Sequence, residues 1–172
     1  MTANPNQIAL ELYSVRHLTA QDMLGALRHV GEIGYRAVEF AGYGNATVPE
    51  IRRTLDELRM RAVSAHTPFD HFANQLDQTL DDLQTLGCRH AVVPWLHQEW
   101  RGLNRLPELA DRFNTWGARC REAGIRFGYH NHNWELEPRD GSTMLDRLAA
   151  GTDAALVHFQ VDVYWALVSG AD

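Results

Sequence analysis

Three residues in one short stretch could hold a metal ion or move a proton. They are His130, His132 and Glu135, in Tyr129-His130-Asn131-His132-Asn133-Trp134-Glu135. If the stretch is extended, alternation puts both imidazoles on one face, and the carboxylate follows in the loop. Imidazole with carboxylate suits a divalent cation or a general acid/base pair. A polar loop of merely hydrogen-bonded histidines has the same composition. Asp162, which closes the run 156–161 and precedes Tyr164 and Trp165, favours a site. A carboxylate there is costly to bury unless paired or bound to a cation, although Asp is also a good helix N-cap. His66 closes Ser64-Ala65-His66-Thr67-Pro68. Glu11 and Glu39 lie within apolar runs, where an interior ion pair with arginine competes with a site role. Trp95 and Trp165 offer ring faces to the C–H face of a sugar, or cap a core.

The elements that must position these residues recur with one rhythm: apolar strand, polar loop, amphipathic helix, Gly-led return. Strands are expected at 8–13, 37–41, 62–66, 90–95, 126–131 and 156–162, with helices over 20–33, 49–59, 69–86, 106–123 and 143–149. Thr19 and Thr47 stand where N-caps belong, Pro49 in a first turn, and Ser142 ahead of the fifth helix. Gly34, Gly87, Gly124 and Gly151 stand where a left-handed residue ends a helix. Strict alternation implies parallel strands with right-handed crossovers. An open doubly wound sheet would carry a Gly-rich phosphate loop after an early strand, and Ser14-Val15-Arg16-His17 and Gly42-Tyr43-Gly44-Asn45 lack that spacing. A barrel instead gathers polar side chains at strand C-terminal ends. Strand parity does this: Glu11, Glu39, Ser64, His66, His130, His132, His158, Gln160 and Asp162 face inward, while Val38, Phe40, Phe127 and Tyr129 face the helices. The expected fold is therefore an α/β (β/α)8 barrel, here about six βα units. A closed barrel takes eight strands and roughly 250 residues. The expectation is a truncated sequence, rather than a half-barrel completed by another chain.

Composition narrows the function. The apolar share of 45% and charged share of 22% are those of an ordinary globular domain. No apolar run approaches the ~18–20 residues a membrane span needs, and the polar first seven residues do not read as a signal peptide. A cytoplasmic address without a membrane partner is expected. A net charge of −6 weighs against a nucleic-acid substrate. Cys88 and Cys120 have no CxxC spacing and read as unpaired structural thiols.

The strand-end phrases occur together and in order. They are Glu11-Leu12-Tyr13-Ser14-Val15-Arg16, Val38-Glu39-Phe40-Ala41-Gly42, Ser64-Ala65-His66, Val92-Val93-Pro94-Trp95, Tyr129 to Glu135, and Val161-Asp162-Val163-Tyr164-Trp165-Ala166. In register they resemble the sugar phosphate isomerase/epimerase family, within the xylose-isomerase-like barrel superfamily. The resemblance covers essentially the whole chain and implies a single domain over 1–172, the N-terminal part of such a barrel. It implies one divalent ion, manganese foremost, with magnesium, cobalt or zinc as alternatives. The family's ligands are a Glu on strand five, an Asp on strand six, a His on strand seven and a Glu on strand eight. Asp162 matches the strand-six ligand. The strand-five slot holds His130, and the nearest carboxylate is Glu135, so either could ligate. The last two ligands are expected beyond Asp172. The implied activity is isomerisation or epimerisation of a sugar, keto-sugar or sugar phosphate through an enediolate. Glu135 is the expected base and His66 the second catalytic group, with Glu39, Trp95, His132, Trp165 and Tyr13 facing substrate. A dehydratase or keto-glycoside lyase on the same scaffold, or an inactive fragment, are the alternatives. A three-zinc repair endonuclease is disfavoured by the negative charge. The expected partner is a small sugar, and a homo-oligomer is compatible with the reading.

Overall fold

Helical periodicity and β-branched runs resolve into six strands and eight helices among the described residues, 8–171, of a computed structural model. In chain order these are β1 (Leu10–Glu11), α1 (Arg16–Gln21), α2 (Met23–Ile33), β2 (Ala37–Ala41), α3 (Val48–Glu57), β3 (Arg61–His66) and α4 (Phe69–Asn74). There follow α5 (Leu76–Leu86), β4 (His90–Val93), α6 (Leu106–Glu122), β5 (Arg126–His130), α7 (Met144–Gly151), β6 (Val157–Gln160) and α8 (Val163–Ser169). Short 3₁₀ turns cover Leu12–Val15, Gln98–Trp100 and Leu103–Arg105. The sheet order is the chain order, β1-β2-β3-β4-β5-β6. The pairs β1–β2, β2–β3 and β5–β6 are parallel. Alternating parallel strands in sequential order are the pattern of a (β/α) barrel carried through six units. Among the described residues, no helix is long and apolar enough to cross a membrane.

The chain divides into two compact units, one of residues up to Thr67 with Gln75–Ala91, the other of Pro68–Asn74 with the residues from Val92 on. In the first unit, Val38 and Phe40 of β2 are fully buried, as are Leu27, Ile51, Leu55, Leu83 and Leu86 from the surrounding helices. In the second, Phe127 and Tyr129 of β5 turn their rings toward α6. Phe113 lies 5.1 Å from Phe127 and 5.5 Å from Tyr129, and Phe72 of α4 stacks on Trp116 at 5.4 Å. Gly117 lets α6 approach this layer, because a Cβ there would stand 2.6 Å from the Leu156 carbonyl oxygen. Both cysteines are free and buried, as expected of structural thiols.

The elements depart from the periodicity in instructive places. The first strand pairs over only two residues, because the chain winds into a 3₁₀ turn that buries Leu12. The first expected helix is two helices, broken at Asp22. Asn45 stabilises the break from across the unit, donating to the Gln21 carbonyl at 2.9 Å and accepting from the Met23 amide at 3.0 Å. Those are helix-end groups that otherwise lack partners. Asp22, not Thr19, caps α2 by accepting from the Gly25 amide, and Thr19 lies buried inside α1. Asp22→Ala is expected to cost about 1 kcal/mol in urea unfolding; an unchanged midpoint would show that Asn45 alone secures the break. The third helix likewise divides at Gln75. Thr47 heads α3 in a capping box with Glu50, as its placement suggested, and Thr143 rather than Ser142 caps α7. Gly34, Gly87 and Gly124 are left-handed, whereas Gly151 is the last residue of α7 and the cap falls to Thr152.

Candidate active site

In the first unit, parallel pairing sets Glu11 opposite Glu39, Glu39 opposite Ser64, and Ala41 opposite His66. Alternation then turns the polar members to one face, and three strands deliver one cluster. His66 Nδ1 lies 3.4 Å from Glu11 Oε1, and its Nε2 lies 3.4 Å from Glu39 Oε1. The Ser64 hydroxyl donates to Glu39 Oε2 and fixes that carboxylate. His66 and Glu39 are nearly enclosed, while Glu11 is partly open to solvent. An imidazole with a carboxylate at each ring nitrogen can hold a proton or hand it on. Glu11, Glu39 and His66 also present ligand atoms within 4.8 Å of one another, a spacing a cation could bridge. Such an ion could take only one of the two ring nitrogens.

In the second unit, register places Gly128, His130 and their partners His158 and Gln160 side by side on β5 and β6. His130 Nδ1 lies 3.0 Å from Gln160 Oε1, an acceptor, so this nitrogen carries the proton in the neutral ring. That tautomer turns the Nε2 lone pair toward Asp162, whose Oδ2 is 3.5 Å away. Two donors about 3–3.5 Å apart match neighbouring ligands around an ion with bonds of about 2.1 Å. A partner on the remote nitrogen is how metal-binding histidines are oriented. His130 and Asp162 therefore fit a divalent ion as two of its ligands. Asp162 also fills the competing role: its Oδ1 accepts from the Tyr164 and Trp165 amides, at 2.8 and 3.2 Å, and caps α8. One carboxylate has an oxygen for each role. Asn131, buried between the strands, accepts from the Asp162 amide at 2.9 Å and fixes the register of the two ends.

Glu135 stands elsewhere. Its side chain is fully enclosed, one oxygen accepting from the Tyr129 hydroxyl and the other from the His132 amide at 2.8 Å. Tyr129 belongs to the helix-facing side of β5, so its phenol draws the carboxylate off the face that carries His130. Burial pushes the Glu135 carboxyl up, opposed by these hydrogen bonds and the Arg101 charge. The structure brings His130 and Asp162 together and does not bring Glu135 to them, so neither ligation nor base action by Glu135 has support in this geometry. The carboxylate instead ties the His130–Glu135 loop to the core.

The aromatic candidates form a wall in the second unit. Trp95 is 45% exposed and meets His132 edge-on at 4.7 Å; His132 lies 5.3 Å from His130 and 5.4 Å from Trp165. Trp134, unremarked in the sequence, stands 6.4 Å from Trp95, and its indole nitrogen is buried without a hydrogen-bond partner. In the first unit Tyr13 is 55% exposed, with the Arg16 guanidinium 4.4 Å over its ring. Glu11 and Gln160 are the other participants that sequence reading left without a named role.

No family model matches the chain. A curated relative, inosose dehydratase of Geobacillus kaustophilus (strain HTA426), is 24% identical over 169 residues, covering 85% of this chain and 54% of that protein. The chain thus spans about half the length of the curated relative it matches. A solved sugar phosphate isomerase/epimerase from Parabacteroides distasonis ATCC 8503 superposes with a TM-score of 0.81 at 24% identity, over 99% of this chain and 70% of that one. The IolI protein, solved with a zinc atom bound, gives a TM-score of 0.69 at 9% identity, over 95% of this chain and 65% of that one. The fold is that of the xylose-isomerase-like barrels.

Proposed function

From that fold we propose that the chain belongs to a divalent-metal-dependent enzyme that isomerises or epimerises a sugar, keto-sugar or sugar phosphate. The observation that carries the reading is the oriented pair His130 and Asp162. A histidine whose Nδ1 faces an acceptor at 3.0 Å presents its Nε2 beside a carboxylate at the C-terminal ends of neighbouring strands. That is where barrel active sites are built. When bound, the ion supplies Lewis-acid polarisation of a carbonyl and its neighbouring hydroxyl, which acidifies the intervening C–H bond. Manganese is the first choice, and the zinc in IolI supports a divalent ion without fixing which.

The chain's own residues hold and move protons. His66, gripped between Glu11 and Glu39, is the proposed proton carrier, exchanging with a hydroxyl or carbon of the sugar. Removing the proton beside the carbonyl gives an enediolate. Return to the neighbouring carbon, with the hydroxyl proton passing to the former carbonyl oxygen, isomerises, and return to the opposite face of the same carbon epimerises. His132, Trp95 and Trp165 offer a wall for the C–H faces of the ring, and Glu39 and Tyr13 are proposed to face substrate hydroxyls.

Solvent-deuterium incorporation tests the reading. Protein loaded with manganese is expected to exchange a carbon-bound proton in at least one member of a ketose and ketose-phosphate panel, and a chelator is expected to stop it. Absence of exchange across the panel would sink the proposal. A second reading is favoured by the name of the curated relative: dehydration, in which the same proton removal is followed by loss of a β-hydroxyl. Product NMR separates the two, since an unsaturated or deoxygenated ketone excludes simple epimerisation.

A further inference from the structure

We propose that Arg101 reads an oxyanion on the substrate, so that the sugar taken by this site carries a phosphate or a carboxylate. The inference rests on the sugar reading above and narrows its substrate class. The Arg101 guanidinium lies 4.0 Å from the ring centre of Trp95 and 4.5 Å from that of Trp134, within cation–π range of both indoles. Its Nε donates to the Leu96 carbonyl at 3.0 Å, which ties one edge of the fork to the chain. The two terminal nitrogens donate to no acceptor among the described residues. The residue is half-buried.

A guanidinium tethered through Nε and set within cation–π range of two indoles has lost part of the rotamer freedom that binding would otherwise remove, and its unengaged terminal nitrogens match the two oxygens of a carboxylate or phosphate. The carboxylate whose field it shares, Glu135, has both oxygens engaged by Tyr129 and His132. The position suits a substrate contact. Trp95, whose ring the guanidinium overlies, also meets His132, and His132 adjoins His130 and Trp165. In a chain of net charge −6, selection for an anion requires such a local, oriented cation. A purely structural stacking role accounts for the two indoles but leaves the terminal nitrogens without a use.

Calorimetric titration of the manganese-loaded protein with inorganic phosphate, xylulose 5-phosphate, gluconate and neutral xylulose tests this. At least one of xylulose 5-phosphate and gluconate is expected to bind about tenfold to a hundredfold more tightly than xylulose. That increment is expected to vanish in Arg101→Met and to fall partway in Arg101→Lys, which keeps the charge without the fork. Whichever ligand shows the Arg101-dependent increment identifies the oxyanion. Circular dichroism melting of both variants establishes that they fold, and Lys carries the test if Met does not. Equal binding of charged and neutral sugars, unchanged in the variants, would overturn the anion site and leave the sugar reading intact. Arg101-dependent phosphate binding with no affinity for any sugar would overturn the sugar reading and, with it, the substrate assignment.

Discussion

Asp162→Asn is expected to weaken divalent-metal binding and proton exchange by at least a hundredfold while α8 stays capped. The two oxygens of Asp162 have separate duties, Oδ1 toward the Tyr164 and Trp165 amides and Oδ2 toward His130 Nε2. Asparagine keeps an oxygen for the first duty and is as good an N-cap as aspartate. For the second it offers a neutral group in place of the anion that would help neutralise a dication. Loss of an outer-shell partner already costs 10–100-fold in metal affinity, so loss of an inner ligand is expected to cost no less. Asp162→Ala removes both duties and adds about 1 kcal/mol of destabilisation through the lost cap. Manganese titration followed by electron paramagnetic resonance, beside urea unfolding, separates the effects. An Asn variant that binds manganese as tightly as the parent would refute the ligand role.

Glu135→Ala is the second large effect, with an expected loss of about 3 kcal/mol or more. It strands the buried Tyr129 hydroxyl and the His132 amide together, and each unsatisfied group costs about 1–3 kcal/mol. Glu135→Gln keeps an acceptor and is expected to cost less, and it isolates the electrostatics. Burial raises the Glu135 carboxyl above its ordinary 4.5 in the folded protein. The folded state therefore holds a proton that the unfolded chain releases at lower pH. Its contribution to stability is complete below about pH 4.5 and declines as pH rises through the folded value. Urea unfolding across that window should show this slope in the parent and a flatter line in Glu135→Gln. Parallel slopes would mean that the carboxylate ionises without penalty.

Much of this arrangement was legible because strand parity is a rigid rule. Once β2, β3, β5 and β6 were placed, Glu39, Ser64 and His66 had to share a face, as did His130, Gln160 and Asp162. Partners were harder to read than faces. For Glu11 an arginine partner competed with a site role, and it meets His66, because the β1–β2 register decides which side chain stands opposite. Glu135 lies off the expected face for a related reason. Its distance along the chain from His130 suggested the barrel mouth, whereas a hydrogen bond to the helix-facing Tyr129 turns it into the core. No spacing rule encodes that bond, since it depends on where a loop folds back. The helix breaks at Asp22 and Gln75 were equally silent, because apolar periodicity runs through both. Asn45, the residue that stabilises the first break, lies over twenty positions away. The Arg101 arrangement has no sequence signature, because two separate segments, the β4–α6 connection and the loop after β5, supply its tryptophans.

The two buried thiols have a practical consequence. Burial pushes Cys88 and Cys120 each up to about 12, so at pH 8 only about one molecule in ten thousand carries a thiolate at either position. Maleimides, iodoacetamides and mild oxidants act on the thiolate, so the native chain should pass through labelling chemistry unmarked. A reporter introduced through Gln98→Cys, in the exposed turn between Trp95 and Arg101, would then be the sole dye on the molecule. Its emission could follow ligand arrival without the background that reactive cysteines impose.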